Sequence, residues 1–131
     1  AFRLLRERHR AGPQVAILAD LEVKFGTPLY RPSLETLARS TAERGLADAL
    51  IVTGEATGAA VDRGDLDRVR GALPGLLLLA GSGVRADNVA EVLGSCDGAI
   101  VGSDLKVGGY VENPVCPERL RRFVDAFRAA R

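Results

Sequence analysis

The sequence predicts an α/β fold of four parallel strands alternating with helices. Three observations carry that expectation. Short apolar runs recur at 14–19, 47–52, 76–80 and 99–101, each too apolar for a half-exposed strand and bounded by glycine, proline or charge. Segments with apolar residues at helical spacing separate them. Run starts lie about 20 to 35 residues apart, the spacing of βα repeats.

The chain opens in an arginine-rich, helix-like segment at 2–10, stopped by Gly12-Pro13. The first strand leads into Asp20, Glu22 and Lys24, which share one side if extended geometry persists. A proline-containing loop spans 26–32. Ser33 is placed to cap a helix that buries Leu34, Leu37, Ala38, Thr41 and Ala42, with Gly45 ending it. The second strand ends in Thr53-Gly54-Glu55. Asp62 or Asp65 starts the next helix, with Leu66, Val69 and Leu73 inward. Pro74-Gly75 turns the chain into the third strand, which ends in Gly81-Ser82-Gly83. A helix over 86–93 turns Val89, Ala90 and Leu93 inward. The fourth strand ends in Gly102-Ser103, and a loop spans 106–116. Pro117 suits a first helical position, and Leu120, Phe123, Val124 and Phe127 form a closing apolar stripe.

Composition excludes several classes. With 131 residues, 47% apolar and 27% charged, the chain has one modest core, a single domain over 1–131, and is globular. A net charge of +1 gives no bulk argument for nucleic acid, and the basic residues, all arginine except Lys24 and Lys106, scatter over helix-like segments. No apolar run approaches the roughly 20 residues of a membrane span. There is no signal peptide and no initial Met, so the chain reads as a fragment. Cys96 and Cys116 fit no zinc or redox spacing, so both are expected as reduced thiols in a cytoplasmic protein. His9, among arginines, reads as a surface residue.

Two architectures fit: a small doubly wound sheet and half of an eight-stranded barrel. No GxGxxG or Walker pattern supports the first. Two neighbouring strands each delivering a glycine-serine pair favour the second, since phosphate sites in (β/α)₈ barrels often use the loops after strands 7 and 8. Gly81, Ser82, Gly83, Gly102 and Ser103 are therefore the candidate phosphate-binding residues. Their amides and hydroxyls would hold oxygens ahead of a helix, with Lys106 close behind. The bland alternative is that they are turns closing strand–helix units.

Asp20, Lys24 and Glu55 are the catalytic candidates. A lysine of lowered pKa acts as base or Schiff-base nucleophile, but neighbouring carboxylates favour the ammonium, so a salt-bridged Lys24 is preferred. Asp20, Glu22 and Glu55 also form an oxygen set suited to Mg²⁺, with strand-end acids of no special role as the plainer reading. Asp62 reads as a helix cap. Glu112-Asn113-Pro114 reads equally as cleft rim or turn.

Residues 17–26 (ILADLEVKFG), 46–58 (LADALIVTGEATG), 79–93 (LAGSGVRADNVAEVL), 97–115 (DGAIVGSDLKVGGYVENPV) and 117–128 (PERLRRFVDAFR) together resemble the BtpA family, also called the photosystem I biogenesis or SgcQ-like family. The resemblance covers nearly the whole chain and the C-terminal half of a family member. It implies the C-terminal half of a (β/α)₈ barrel of the ribulose-phosphate-binding type, lacking the first four strands. It also implies a role in photosystem I accumulation for photosynthetic members and sugar- or nucleotide-related enzymes elsewhere. Phe25 stands where the family often carries His, Tyr110 where it carries Trp, and Cys116 where it carries Asp. The loss of that histidine counts against a histidine mechanism. The expected function is binding of a phosphorylated small molecule, a sugar phosphate or nucleotide; the alternative is a non-catalytic biogenesis or interaction factor. Four barrel strands alone leave an apolar face and two edges bare, so a homo-oligomer or a missing N-terminal half is expected.

Overall fold

A computed structural model of the chain describes residues 2–22, 32–54 and 60–131. Within them α1 (Phe2–Ala11), β1 (Leu18–Asp20), α2 (Leu34–Glu43), β2 (Ala49–Val52), α3 (Arg63–Ala72), β3 (Leu77–Ala80), α4 (Val89–Leu93), β4 (Gly98–Ala99) and α5 (Pro117–Ala129) follow in order. The strands form one parallel sheet in the order β1-β2-β3-β4. A doubly wound sheet reverses its strand order at a switch point. Consecutive order throughout is instead the winding of a (β/α)₈ barrel, of which this chain forms half.

The two sheet faces have opposite fates. Leu50, Val52, Leu78 and Ala80 point toward the helices and are buried with Ala38, Leu66, Val69, Val89 and Phe123. On the other face Leu18 and Leu77 remain 49% and 48% exposed, although they flank the buried Ala49. Ile51 and Leu79 on that face are only half-buried. This is the face that would line a barrel's interior, and nothing among the described residues covers it.

Local chemistry sets the boundaries. The Ser33 hydroxyl accepts the Thr36 N–H at 3.3 Å, and Asp62 accepts the Gly64 N–H at 2.7 Å, capping α2 and α3. Arg68 grips Glu35 through two bonds of 2.7 and 3.1 Å, tying α3 to α2 and pulling the Glu35 carboxyl from its ordinary 4.5 to about 2. Several elements are shorter than the sequence suggests. At β1, residues 14–16 find no partner strand, and the chain bends at 21–22, so Asp20 and Glu22 do not share one extended run. The helix expected from 86 starts at Val89, because Asn88 engages the backbone instead: Oδ1 accepts the Arg85 N–H at 2.7 Å and Nδ2 donates to the Gly83 carbonyl at 3.0 Å. Ala90, expected inward, is exposed. β4 ends at Ala99, although the Ile100 N–H still reaches the Ala80 carbonyl at 2.8 Å.

The strand starts carry a repeated clamp. Asp48 Oδ2 accepts the Ile17 N–H at 2.7 Å while its own N–H donates to the Ile17 carbonyl at 2.8 Å. Arg8 of α1 closes on the same oxygen at 2.9 Å. Asp97 repeats this with Leu78, at 2.8 Å in both directions, and Arg70 of α3 reaches Oδ2 at 2.6 Å. Each aspartate thus fixes a strand pair and binds the helix three elements before its own strand.

The Arg70 guanidinium first, and the Leu78 N–H second, hold the Asp97 carboxyl below its ordinary 3.8. A depressed carboxyl stabilises the fold above its unfolded pKa, and that contribution fades as pH falls through the folded value. Asp97→Ala should cost about 1–2 kcal/mol at pH 7, since the side chain is 41% exposed and screened by solvent. In urea titrations the gap to the wild type should be full at neutral pH and close as pH falls below 3.8. A gap that persists undiminished in acid would contradict the clamp.

Candidate functional site

The loops after β3 and β4 open into one cleft of about 490 Å³ at the C-terminal end of the sheet. All five glycine and serine candidates, Gly81, Ser82, Gly83, Gly102 and Ser103, line it. They reach it differently. Gly81 sits where β2 and β3 crowd together: a Cβ there would meet Ile51 Cγ2 at 2.6 Å and press into the Thr53 hydroxyl. Its N–H donates to the Val52 carbonyl at 2.7 Å, so its amide is committed to the sheet. Gly83 adopts φ +66, a conformation that needs glycine. Ser82 is buried, and its hydroxyl accepts the Gly54 N–H at 2.7 Å, joining the loops after β2 and β3. Gly102 has open space where a side chain would stand, and Ser103 begins a 3₁₀ turn (Ser103–Leu105).

Helix N-termini, expected behind these loops, do not supply the positive end. α4 has only five residues and begins at Val89, while the β4 loop enters the 3₁₀ turn rather than an α-helix. The cations at the cleft are Arg85 and Arg119; Lys106 lies outside its lining. Arg85 pairs with Asp87 at 3.1 Å. Arg119, near the start of α5, donates to the Asp104 carbonyl at 2.6 Å and to Asp104 Oδ1 at 2.9 Å. Asp104 Oδ2 accepts the Ala86 N–H at 3.1 Å. One carboxylate therefore binds the β3 loop, the β4 loop and α5 together. Sequence reading missed Asp104 and Arg119; the only hint is an acid directly after Gly102-Ser103 and an arginine in the first turn of α5.

The catalytic candidates are only partly described. Lys24, Glu55 and the departing Phe25 lie outside the described residues. Asp20 stands at the end of β1, exposed, on the face with Leu18 and Ile51. Its Oδ2 accepts the Thr53 hydroxyl at 2.9 Å, and Thr53 in turn lies against Gly81. Asp20, Thr53 and Gly81 thus form a row along the strand ends, with Thr53 the member that sequence reading passed over. Glu22 is exposed beyond the strand. Among the described residues no three His, Cys, Asp or Glu side chains gather as a metal would need. Asp62 is the α3 cap. Asn113 donates from Nδ2 to the Val107 carbonyl at 2.8 Å and is a turn former, while Glu112 lines the cleft. Cys96 and Cys116 are free thiols, and burial first of all pushes Cys96 up. His9 is exposed on α1. Among the described residues no helix is long and apolar enough to cross a membrane.

A profile of the BtpA family matches residues 1–129. The chain is 40% identical over 126 residues to the photosystem I biogenesis protein BtpA of Synechocystis sp., covering 96% of this chain and 44% of that protein. It spans about half the length of the curated relatives it matches. Among solved structures, phosphoribosyl anthranilate isomerase from Thermus thermophilus superposes with a TM-score of 0.62 at 20% identity, covering 88% of this chain and 52% of that one. The corresponding Pyrococcus furiosus enzyme gives 0.56 at 17%, covering 98% and 56%. At these identities the likeness is one of fold.

Removing the Ser82 hydroxyl strands the buried Gly54 N–H. Ser82→Ala should lower stability by about 1–3 kcal/mol in urea unfolding. Ser103→Ala, whose hydroxyl bonds no described residue, should change it by less than about 0.5 kcal/mol. Equal costs at the two positions would contradict the distinction drawn between them.

Proposed function

The chain belongs to the BtpA family, and on that premise we propose that it binds a phosphorylated small molecule, a sugar phosphate or nucleotide, between the loops after β3 and β4. The observation that carries this reading is the convergence of both glycine-serine pairs on one cleft. The half-barrel winding adds to it, because β3 and β4 correspond to strands 7 and 8 if this chain is the C-terminal half. Amides at Gly83, Gly102 and Ser103 supply neutral donors, and Arg119 supplies charge once it turns from Asp104 toward the anion. Asp20, with Lys24 and Glu55, remains the candidate proton-transfer group, and Mg²⁺ the candidate cation for those acids. Two free thiols fit a cytoplasmic setting.

A second reading is a non-catalytic factor that keeps the barrel as a scaffold. The name of the Synechocystis relative, a photosystem I biogenesis protein, favours it, as does Phe25 at the position where the family often carries histidine. Both readings require the bare sheet face to be covered. Leu18 and Leu77, about half exposed, and Ile51 beside them belong against other apolar groups, each worth about 1.5–3 kcal/mol when buried. A second copy of the chain or an N-terminal half of the barrel fills that role.

Two experiments separate these statements. Calorimetric titration of the chain with inorganic phosphate should show binding, and both Gly83→Val and Gly102→Val should abolish it. The second variant matters because there is room for its side chain in the fold. Unchanged phosphate affinity in a folded Gly102→Val chain would sink the anion site. Sedimentation at micromolar concentration should show a dimer or larger assembly, and a compact, cooperatively folding monomer would overturn the covered face.

A further inference from the structure

Tyr110 is the single aromatic side chain on the cleft among the described residues, and it is 67% exposed. So large an exposed ring is normally mobile, but this one stands on a braced loop. The Val107 N–H donates to the Pro114 carbonyl at 3.0 Å, and the Cys116 N–H donates to the Leu105 carbonyl at 2.8 Å. Asn113 closes the loop from within: its N–H reaches the Tyr110 carbonyl at 3.1 Å and its side-chain amide the Val107 carbonyl. The ring itself rests on Gly108, where a Cβ would stand 3.1 Å from Tyr110 Cδ2 and where φ is +67. Backed by main chain and otherwise open, the ring is a flat apolar surface that loses little freedom when something stacks on it.

The cleft is not uniform. Hydroxyls and amides cluster at the strand ends, and Arg119, paired with Asp104, reaches from α5 to the base of the Tyr110 loop, its Nη2 3.8 Å from where a Gly109 Cβ would stand. The Tyr110 loop instead brings Glu112, an acceptor-only carboxylate that repels phosphate. A ligand that suits both ends carries phosphate at one end and, at the other, a planar ring with amino donors. The cleft volume is within the range of small-molecule sites.

We propose that Tyr110 is a stacking platform and that the cleft takes a nucleoside monophosphate rather than a bare sugar phosphate. This rests on the phosphate reading above and narrows its ligand class. The test is calorimetric titration of the full chain with inorganic phosphate, ribose 5-phosphate and AMP, repeated on Tyr110→Phe, Tyr110→Leu and Tyr110→Ala. Stacking on an aromatic side chain should make AMP bind about tenfold or more tighter than ribose 5-phosphate. That advantage should survive in Tyr110→Phe and vanish in Tyr110→Leu and Tyr110→Ala, while phosphate and ribose 5-phosphate bind all four proteins alike. AMP binding no tighter than ribose 5-phosphate, or an advantage that persists without the ring, would overturn the platform. AMP binding that depends on Tyr110 while phosphate and ribose 5-phosphate fail to bind would uphold the platform and remove the phosphate reading. Binding of none of the three would overturn both.

Discussion

Two carboxylates at the strand starts set the register on which the rest of the half barrel depends. Asp48 and Asp97 each close a two-way hydrogen-bonded ring with the strand before, on Ile17 and Leu78, and each receives an arginine from a helix. A parallel pair has no hairpin to fix its register, and a one-residue slip would turn Leu50 and Leu78 away from the helices. The clamp prevents that slip at the N-terminal edge of the sheet, where barrels keep their stability. With the pairs fixed there, the loops at the other edge can open into a cleft without holding the fold together. The exception is Ser82, which belongs to both ends of this division because its hydroxyl ties the β2 loop to the β3 loop.

Much of this was legible in the sequence. Alternating apolar runs located all four strands, and Ser33, Asp62 and Pro117 marked three helix starts because capping chemistry is local. The glycine-serine pairs found the cleft because glycine after a buried strand is a backbone signal. What stayed hidden depends on partners distant in sequence. Asp48 and Asp97 precede similar runs, DALIV and DGAIV, yet nothing local announces Arg8 or Arg70 as their partners. Asp104 and Arg119 are separated by a loop whose path the sequence does not give. Asn88 reads as a helix residue until its side chain is seen bonding the Arg85 and Gly83 backbone.

The proposed anion site has no uncommitted arginine among the described residues. Its positive groups are already paired, Arg85 with Asp87 and Arg119 with Asp104, so an anion must compete for them or rely on backbone amides. Amides carry no charge and attract an anion only when several point at one place. The row of Asp20 and Thr53 along the strand ends reaches Gly81, which joins it to the cleft. Lys24 and Glu55, the other proposed members, lie outside the described residues. A barrel half with a cleft at one end of the sheet and an open inner wall is compatible with both proposed readings, ligand binding and a non-catalytic scaffold.

The most direct test of that account is amide chemical-shift mapping of the isotopically labelled chain during a phosphate titration. The account predicts saturable shifts at Gly83, Gly102 and Ser103, with Asp48, Leu78 and Asp97 at the opposite edge unmoved. Shifts confined to the arginine-rich surface of α1, or the absence of any saturable shift in the two loops, would contradict it.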